Sequence, residues 1–243
     1  MNLIIDFGNT RTKMAIFHGN NIINLKTYDN LFVCDAEFIL QNYPEIDKCI
    51  LSVTGSADEG LIIYLKNTFT EFIELTGNTP VPFKNKYESP ATLGSDRIAS
   101  IAGAMAIYPG SNVLVIDSGT AITFEFIDKS DNYLGGNISP GLETRFKALH
   151  TFTNKLPLLS LNENFNLIGK NTQDAVVSGV QNGVLLEIDG YINSLIREYP
   201  DLKTILTGGD AEFLAGKLKS PIFMELNLVL IGLNIILEFN FKK

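Results

Sequence analysis

Apolar runs and their spacing divide this chain into short strands and helices. Leu3 to Ile5 form a continuous apolar run ending at Asp6, the pattern of a buried strand. Gly8 and Asn9 accept positive φ, so the chain can turn there, and Thr12 to Phe17 predict the returning strand of a hairpin. Ile22 to Tyr28 predict a third strand, and Asp35 to Asn42 a short helix closed by Pro44. Lys48 to Val53 predict another buried strand. A helix is expected to open at Ser56 and run through Leu61, Ile62 and Leu65, before a strand at Phe72 to Leu75. Thr79 to Pro90 holds three prolines and reads as a surface loop, the kind of segment that often lines a site. Ser95 is the expected cap of a helix with Ile98, Ala102, Met105 and Ala106 on its apolar face.

The second part of the chain begins similarly. Val113 to Asp117 and Ala121 to Ile127 predict a second hairpin, followed by a polar turn at Asp128 to Asn132. Tyr133 to Gly141 contains three glycines and a proline and reads as a turn whose backbone passes close under a ligand. Leu142 to Phe152 predict a helix, and Thr172 is the expected cap of a long one reaching about Tyr199. That helix carries Val176, Val177, Val180, Val184, Ile188, Ile192, Leu195 and Ile196. Such a surface is wider than one small domain covers and predicts a subunit contact. Thr204 to Leu206 predict a strand, Thr207 to Asp210 a glycine turn, and Leu226 to Phe239 a closing helix. Strands alternating with helices place the chain in the α/β class.

The two hairpins repeat one another. Asp6 corresponds to Asp117, Gly8 to Gly119 and Asn9 to Thr120, almost half the chain apart. The duplication predicts two related domains, residues 1–111 and 112–243, facing each other across a cleft. Each turn offers a carboxylate, backbone N–H groups outside the ladder and a hydroxyl. Those groups suit a phosphate with its cation.

Composition narrows the functions. With 45% of 243 residues hydrophobic, the chain can bury one large core or two small ones. A net charge of −8 and no basic run argue against a nucleic-acid surface. An anionic nucleotide would need turns, helix ends and metal ions to hold it. Cys34 and Cys49 have no metal-ligand spacing and read as reduced thiols of a cytoplasmic protein. His18 and His150 read as structural. Met1 leads directly into the first strand without a signal-peptide pattern, and Leu226 to Leu237 is too short to span a bilayer. Asp96 and Arg97, at a helix start, admit two explanations. Asp96 either complements the helix dipole, or it acts as a general base beside an anion-binding arginine.

Taken together, these segments resemble type III pantothenate kinase, in the superfamily of acetate and sugar kinases, heat-shock chaperone ATPases and actin. The resemblance covers nearly the whole chain. Its carriers are DFGNT at Asp6 to Thr10, LGSDR at Leu93 to Arg97 and DSGTAIT at Asp117 to Thr123. GGNISPG at Gly135 to Gly141, NT followed by SGV within Asn171 to Val180, and TGGD at Thr207 to Asp210 complete them.

The resemblance implies two ribonuclease-H-like domains with mixed sheets flanked by helices, and ATP in the cleft between them. The implied reaction is ATP-dependent phosphorylation of pantothenate to 4'-phosphopantothenate, the first step toward coenzyme A. Asp6, Phe7, Gly8, Asn9, Thr10, Arg11, Thr12 and Lys13 match the segment that cradles the ATP phosphates, with Asp6 near magnesium. Thr120 matches another ATP contact. Tyr87, Gly94, Ser95, Asp96 and Arg97 match pantothenate contacts, Asp96 being the proton acceptor. Asp117 matches a site for a monovalent cation, potassium or ammonium. Thr172 matches a substrate contact, and the family's sites are built at a homodimer interface. Glu125 departs from the Asp expected after the second hairpin, and Thr144-Arg145 is unlike many relatives. Two rivals share the scaffold: a non-catalytic transcriptional accessory protein, and a conformational ATPase of the chaperone or actin type. The intact acids oppose the first, and the short chain opposes the second.

Overall fold

The computed structural model describes residues 1–242. By internal packing the chain forms two units. The first holds Met1–Pro109, Asp131–Leu134 and the chain from Asn227 onward; the second holds Gly110–Ser130 and Gly135–Leu226. This division differs from the sequential halves in placing the last helix with the first unit.

The first unit is built on a mixed sheet. Its strands are β1 (Asn2–Phe7), β2 (Thr12–His18), β3 (Asn21–Tyr28), β4 (Lys48–Val53) and β5 (Glu71–Glu74), in the order β3-β2-β1-β4-β5. β1 runs antiparallel to β2 and parallel to β4. Leu3, Ile4 and Ile5 are all fully buried, so both faces of β1 are covered and its apolar run is continuous. On one face, Leu3, Ile5 and Phe7 share a core with Ala36 and Ile39 of α1 (Val33–Asn42) and Leu61 and Leu65 of α2 (Glu59–Thr68). α2 begins at Glu59, later than expected from Ser56, because Asp58 is its cap and accepts from Leu61 N–H at 2.7 Å.

The segment from Thr79 to Pro90 is not all loop. It contains the two-residue strand β6 (Lys84–Asn85), which pairs with Asn132 and Tyr133 at the start of β9 (Asn132–Pro140). The helix α3 (Ser95–Ile107) follows, and α7 (Leu228–Asn240) packs against it and against β1 and β4. The two helices cross at Gly103 and Gly232. A methyl group at Gly232 would drive into the Ala99 carbonyl, and one at Gly103 into the Leu228 carbonyl. A buried polar link fixes α7 to the sheet: Asn2 Nδ2 donates to Asn234 Oδ1 at 2.8 Å and to Glu238 Oε1 at 2.7 Å.

The second unit repeats the central part of this plan. β10 (Lys203–Thr207) pairs parallel with β7 (Val113–Ser118), which pairs antiparallel with β8 (Ala121–Ile127), as β4, β1 and β2 do. β9 and β11 (Phe223–Met224) complete the order β11-β10-β7-β8-β9. Tyr133 to Pro140 is therefore mostly strand, where a turn was expected; only Gly141 leaves it, as the cap of α4 (Leu142–Phe152). The long helix α5 (Thr172–Glu198) is capped by Asn171, not Thr172. Asn171 Oδ1 accepts from Asp174 N–H at 2.9 Å. The short helix α6 is Ala211–Ala215. Val176, Val180, Val184, Ile188 and Ile192 bury themselves against Leu114, Ile116, Phe124, Leu142 and Phe146. The apolar face of α5 is thus covered within its own unit, and its width gives no argument for a subunit contact.

Candidate active site

In the first unit, the β1–β2 turn presents the residues expected to hold phosphate. Gly8 N–H closes it on Arg11 O at 3.1 Å. Phe7 O accepts from Thr54 and Gly55 N–H at 2.9 and 3.0 Å, which pins the turn to the end of β4. Gly55 has to be glycine, because a Cβ there would strike the Gly8 carbonyl. Asn9, Thr10 and Arg11 are exposed and Thr12 is buried. The turn forms one wall of a cleft of about 260 Å³ whose other walls are residues 29–32 and 56–58.

Asp6 lies at the base of this turn, opposite Lys13 on β2 and Ser52 on β4. Its Oδ1 is closed off from solvent and has no hydrogen-bond partner. Burial pushes the Asp6 carboxyl up to about 6, and the charge of Asp96 adds to this; a Ser52 hydrogen bond and Lys13 oppose it. An ionised carboxylate oxygen left unpaired in a buried position is costly unless a cation reaches it. Among the described residues no three His, Cys, Asp or Glu side chains form a metal cluster. Magnesium commonly binds through one or two carboxylates plus substrate phosphates, and the enclosed Asp6 oxygen is one such carboxylate ligand group.

The start of α3 faces the same carboxylate. Gly94 is its cap residue and no side chain caps it; Ser95 is its first helical residue. Ser95 therefore does not cap. Its Oγ instead meets Ser52 Oγ at 2.9 Å. Asp96 Oδ1 accepts from Arg97 N–H at 2.8 Å. The Asp96 carboxyl is nevertheless raised, because burial outweighs that bond and the Arg97 charge. The helix start alone would have lowered it. Arg97 is buried, donates from Nη2 to Tyr133 OH at 3.1 Å and lies 5.3 Å from the centre of the Tyr87 ring. Tyr87 stacks on Tyr133 at 6.1 Å. The proline-rich segment thus carries Tyr87 to the arginine.

The second unit holds its own carboxylate turn. Gly119 N–H donates to Ala121 O at 2.9 Å, and Gly141 N–H to Thr120 O at 3.0 Å. Thr144 Oγ1 also donates to Thr120 O, at 2.6 Å. Arg145 binds Pro140 O at 2.8 Å and forms an ion pair with Glu187. The unusual Thr144-Arg145 pair therefore buttresses the turn. Asp117 pairs in register with Thr207 of β10, and Gly208, at φ +95°, packs against the Asp117 side chain and the Ser118 carbonyl. Ser118 Oγ donates to Asp210 Oδ2 at 3.3 Å. Burial raises the Asp210 carboxyl, Ser118 draws it down, and Glu143 pushes it up. Asp117 and Asp210 flank this turn, and Glu143 is close enough to Asp210 to act on its charge. Glu125 is fully buried on β8, where Gly136 leaves room for its carboxylate.

The structure brings Asp6, Lys13, Tyr87, Asp96 and Arg97 into the first unit, and Asp117 and Thr120 into the turn of the second. Thr172 is exposed at the first position of α5. The sequence gives no hint of Ser52 and Tyr133, whose roles depend on strand register and on β6 pairing. Ser118, Glu143 and Asp210 were missed as well; Asp210 lies in the TGGD run, but nothing local ties it to Asp117.

Solved structures with this arrangement include a glucokinase from an Antarctic psychrotroph (TM-score 0.53, 14% identity, 98% of each chain). Another is the activator of 2-hydroxyisocaproyl-CoA dehydratase from Clostridium difficile, with bound ADPNP (TM-score 0.54, 13% identity, 98% of this chain and 94% of that one). The chain shares the fold of these two structures, with two mixed sheets flanked by helices. Residues 2–194 match the sequence profile of type III pantothenate kinase. The type III pantothenate kinases of Christiangramia forsetii and Bacteroides fragilis ATCC 25285 are 44% and 42% identical, each over 99% of this chain and 99% and 98% of their own. The chain belongs to the type III pantothenate kinase family. It is also similar to a Campylobacter jejuni structure assigned to the Baf family of transcriptional activators (TM-score 0.60, 25% identity, 98% of each chain).

Proposed function

We propose that this chain transfers a phosphoryl group from ATP to the terminal hydroxyl of pantothenate, with Asp96 as proton acceptor. The kinase activity is the one its family is named for, and it leads toward coenzyme A. The observation that carries the assignment of roles is the pairing of two half-buried carboxylates in one unit: Asp6, with an enclosed, unpartnered oxygen, and Asp96, at the start of α3. Phosphoryl transfer needs charge neutralised on the moving group and an oriented hydroxyl. The Gly8 to Lys13 segment supplies backbone N–H groups and the Lys13 charge for the phosphates. Magnesium, when bound, neutralises phosphate charge, and Asp6 is the residue that fits it. Asp96 takes the hydroxyl proton. Arg97, held by Tyr133 and Tyr87, offers the substrate carboxylate a guanidinium whose direction is already set. Gly94 and Ser95 complete the substrate segment.

In the second unit, Thr120 contacts ATP and Asp117 binds potassium or ammonium; the acidic surroundings of that turn support the cation. Thr172 contacts substrate in a homodimer. Support for the dimer is the family resemblance, together with apolar side chains exposed on the second unit, such as Phe152, Leu167, Ile168 and Leu186. Residues 1–111 and 112–243 descend from one duplicated unit, which the shared strand pattern supports. The enzyme works in the cytoplasm; no helix among the described residues is long and apolar enough to cross a membrane. The likeness to the Baf protein favours a second, regulatory reading, which the intact Asp6, Asp96 and Asp117 oppose. A coupled assay over a panel of hydroxy acids tests the proposal. ATP turnover should appear only with pantothenate; turnover without it, or none, refutes the reading.

A further inference from the structure

Ser52 is fully buried on β4, beside Asp6 in the parallel β1–β4 register. No local sequence feature predicts its contact with α3. Its Oγ lies 2.9 Å from the Oγ of Ser95, the residue before Asp96, and either hydroxyl can be the donor. Ser95 Oγ also reaches Val53 O, at 3.5 Å. The hydroxyl pair therefore joins β4, at the residue beside Asp6, to the first turn of α3. Asp96 on α3, Lys13 on β2 and Arg97 beside Asp96 are the charged groups around this junction.

We propose that Ser52 is a positioning residue for phosphoryl transfer, its hydroxyl tying the strand position beside Asp6 to Ser95 and so fixing the proton acceptor Asp96 relative to the cation–phosphate carboxylate. The inference rests on the kinase reading above. An error of 1 Å in such placement can cost about 100-fold in rate. Ser52 itself is fully buried and is not among the substrate contacts, so the effect of changing it should fall more on kcat than on binding.

The test compares Ser52→Ala with the wild type in steady-state kinetics and amide hydrogen exchange. We expect kcat to fall by roughly 10- to 100-fold, with KM for ATP and for pantothenate less affected than kcat. Exchange at the Arg97 and Ile98 amides should quicken, while the β1–β2 ladder keeps its protection. Wild-type kcat in Ser52→Ala overturns the inference. So does exchange that quickens equally through the β1–β2 ladder, which marks general loss of fold. If Ser52→Ala does not fold, Ser52→Cys, which keeps the size but replaces the hydroxyl with a weak donor, decides: a fall in kcat that exceeds the change in pantothenate KM supports the tie, and an unchanged kcat overturns it. A wild-type enzyme without pantothenate-dependent turnover means that the kinase reading has failed. The exchange comparison then still decides whether Ser52 orders the start of α3.

Discussion

Asp6 and Asp96 are both harder to ionise in the folded chain than in water, and burial is the leading cause for each. For Asp6 the ordinary value is 3.8 and the folded value about 6. The folded state therefore holds that proton more tightly than the unfolded one. Its contribution is most favourable below pH 4 and worsens as pH rises toward 6, by roughly 3 kcal/mol over the window. Asp6→Asn should thus melt higher than the ligand-free wild type at pH 8, with the difference gone near pH 4. The same variant should lose most turnover even at saturating magnesium. Melting curves at the two pH values and one rate measurement check both halves; near-normal turnover would refute the role. Asp96→Asn keeps size and most hydrogen bonding but loses the proton acceptor, so turnover should fall roughly 10²- to 10⁴-fold. ATP affinity should barely change, and pantothenate affinity less than turnover. Preserved turnover would mean that Asp96 only serves the helix end.

At the scale of elements, the α3–α7 crossing decides where the helix that carries Asp96 lies. Gly103 and Gly232 let the two backbones approach more closely than any side chain would permit. The atom that a Gly232 methyl meets is a backbone carbonyl, which cannot rotate away. Gly232→Ala should therefore cost about 3 kcal/mol, the upper part of the usual overpacking range, in denaturant unfolding. Because α3 must move to accept the methyl, kcat should fall as well in the fraction that folds. A variant with unchanged midpoint and kcat would show that the helices have slack. The closing helix is thus part of the support of α3, although more than 100 positions of sequence lie between Asp96 and Leu228.

For the whole molecule, the predictions concern cations and assembly. Asp117 stands at the end of β7 beside Gly208, and Glu143 acts electrostatically on Asp210, which bonds Ser118. Potassium or ammonium should raise activity where sodium does so poorly; equal rates in sodium and potassium buffers would remove the assigned site. The assembly prediction now rests on different residues. The valines and isoleucines of α5 are spent on their own core, so a homodimer must use the apolar groups that remain outside, Phe152, Leu167, Ile168 and Leu186 among them. Light scattering at assay concentration should show a dimer, and an active monomer would count against it.

The hydrophobic pattern by itself determined most strands, because an element such as β1 or β4 is buried on both faces and its apolar run is bounded by polar residues. It determined the two carboxylate turns too, since Asp, Gly and a polar residue stand together in the chain. Helix starts were less legible. Ser56, Ser95 and Thr172 are all good capping types, yet Asp58, Gly94 and Asn171 take those positions. Several capping residues stand side by side there, and only the backbone path selects one. The glycine-rich Tyr133 to Pro140 segment became a strand because β8 lies beside it in the sheet and β6 pairs with its first residues. The fate of α5 was hidden for a similar reason: periodicity reports how much apolar surface a helix has, but not how much its neighbours cover. The Ser52 link, the Tyr133–Arg97 bond and the Gly103–Gly232 crossing were decided by tertiary structure alone. Each joins residues far apart in sequence, and register and close packing, which no local pattern encodes, bring them together.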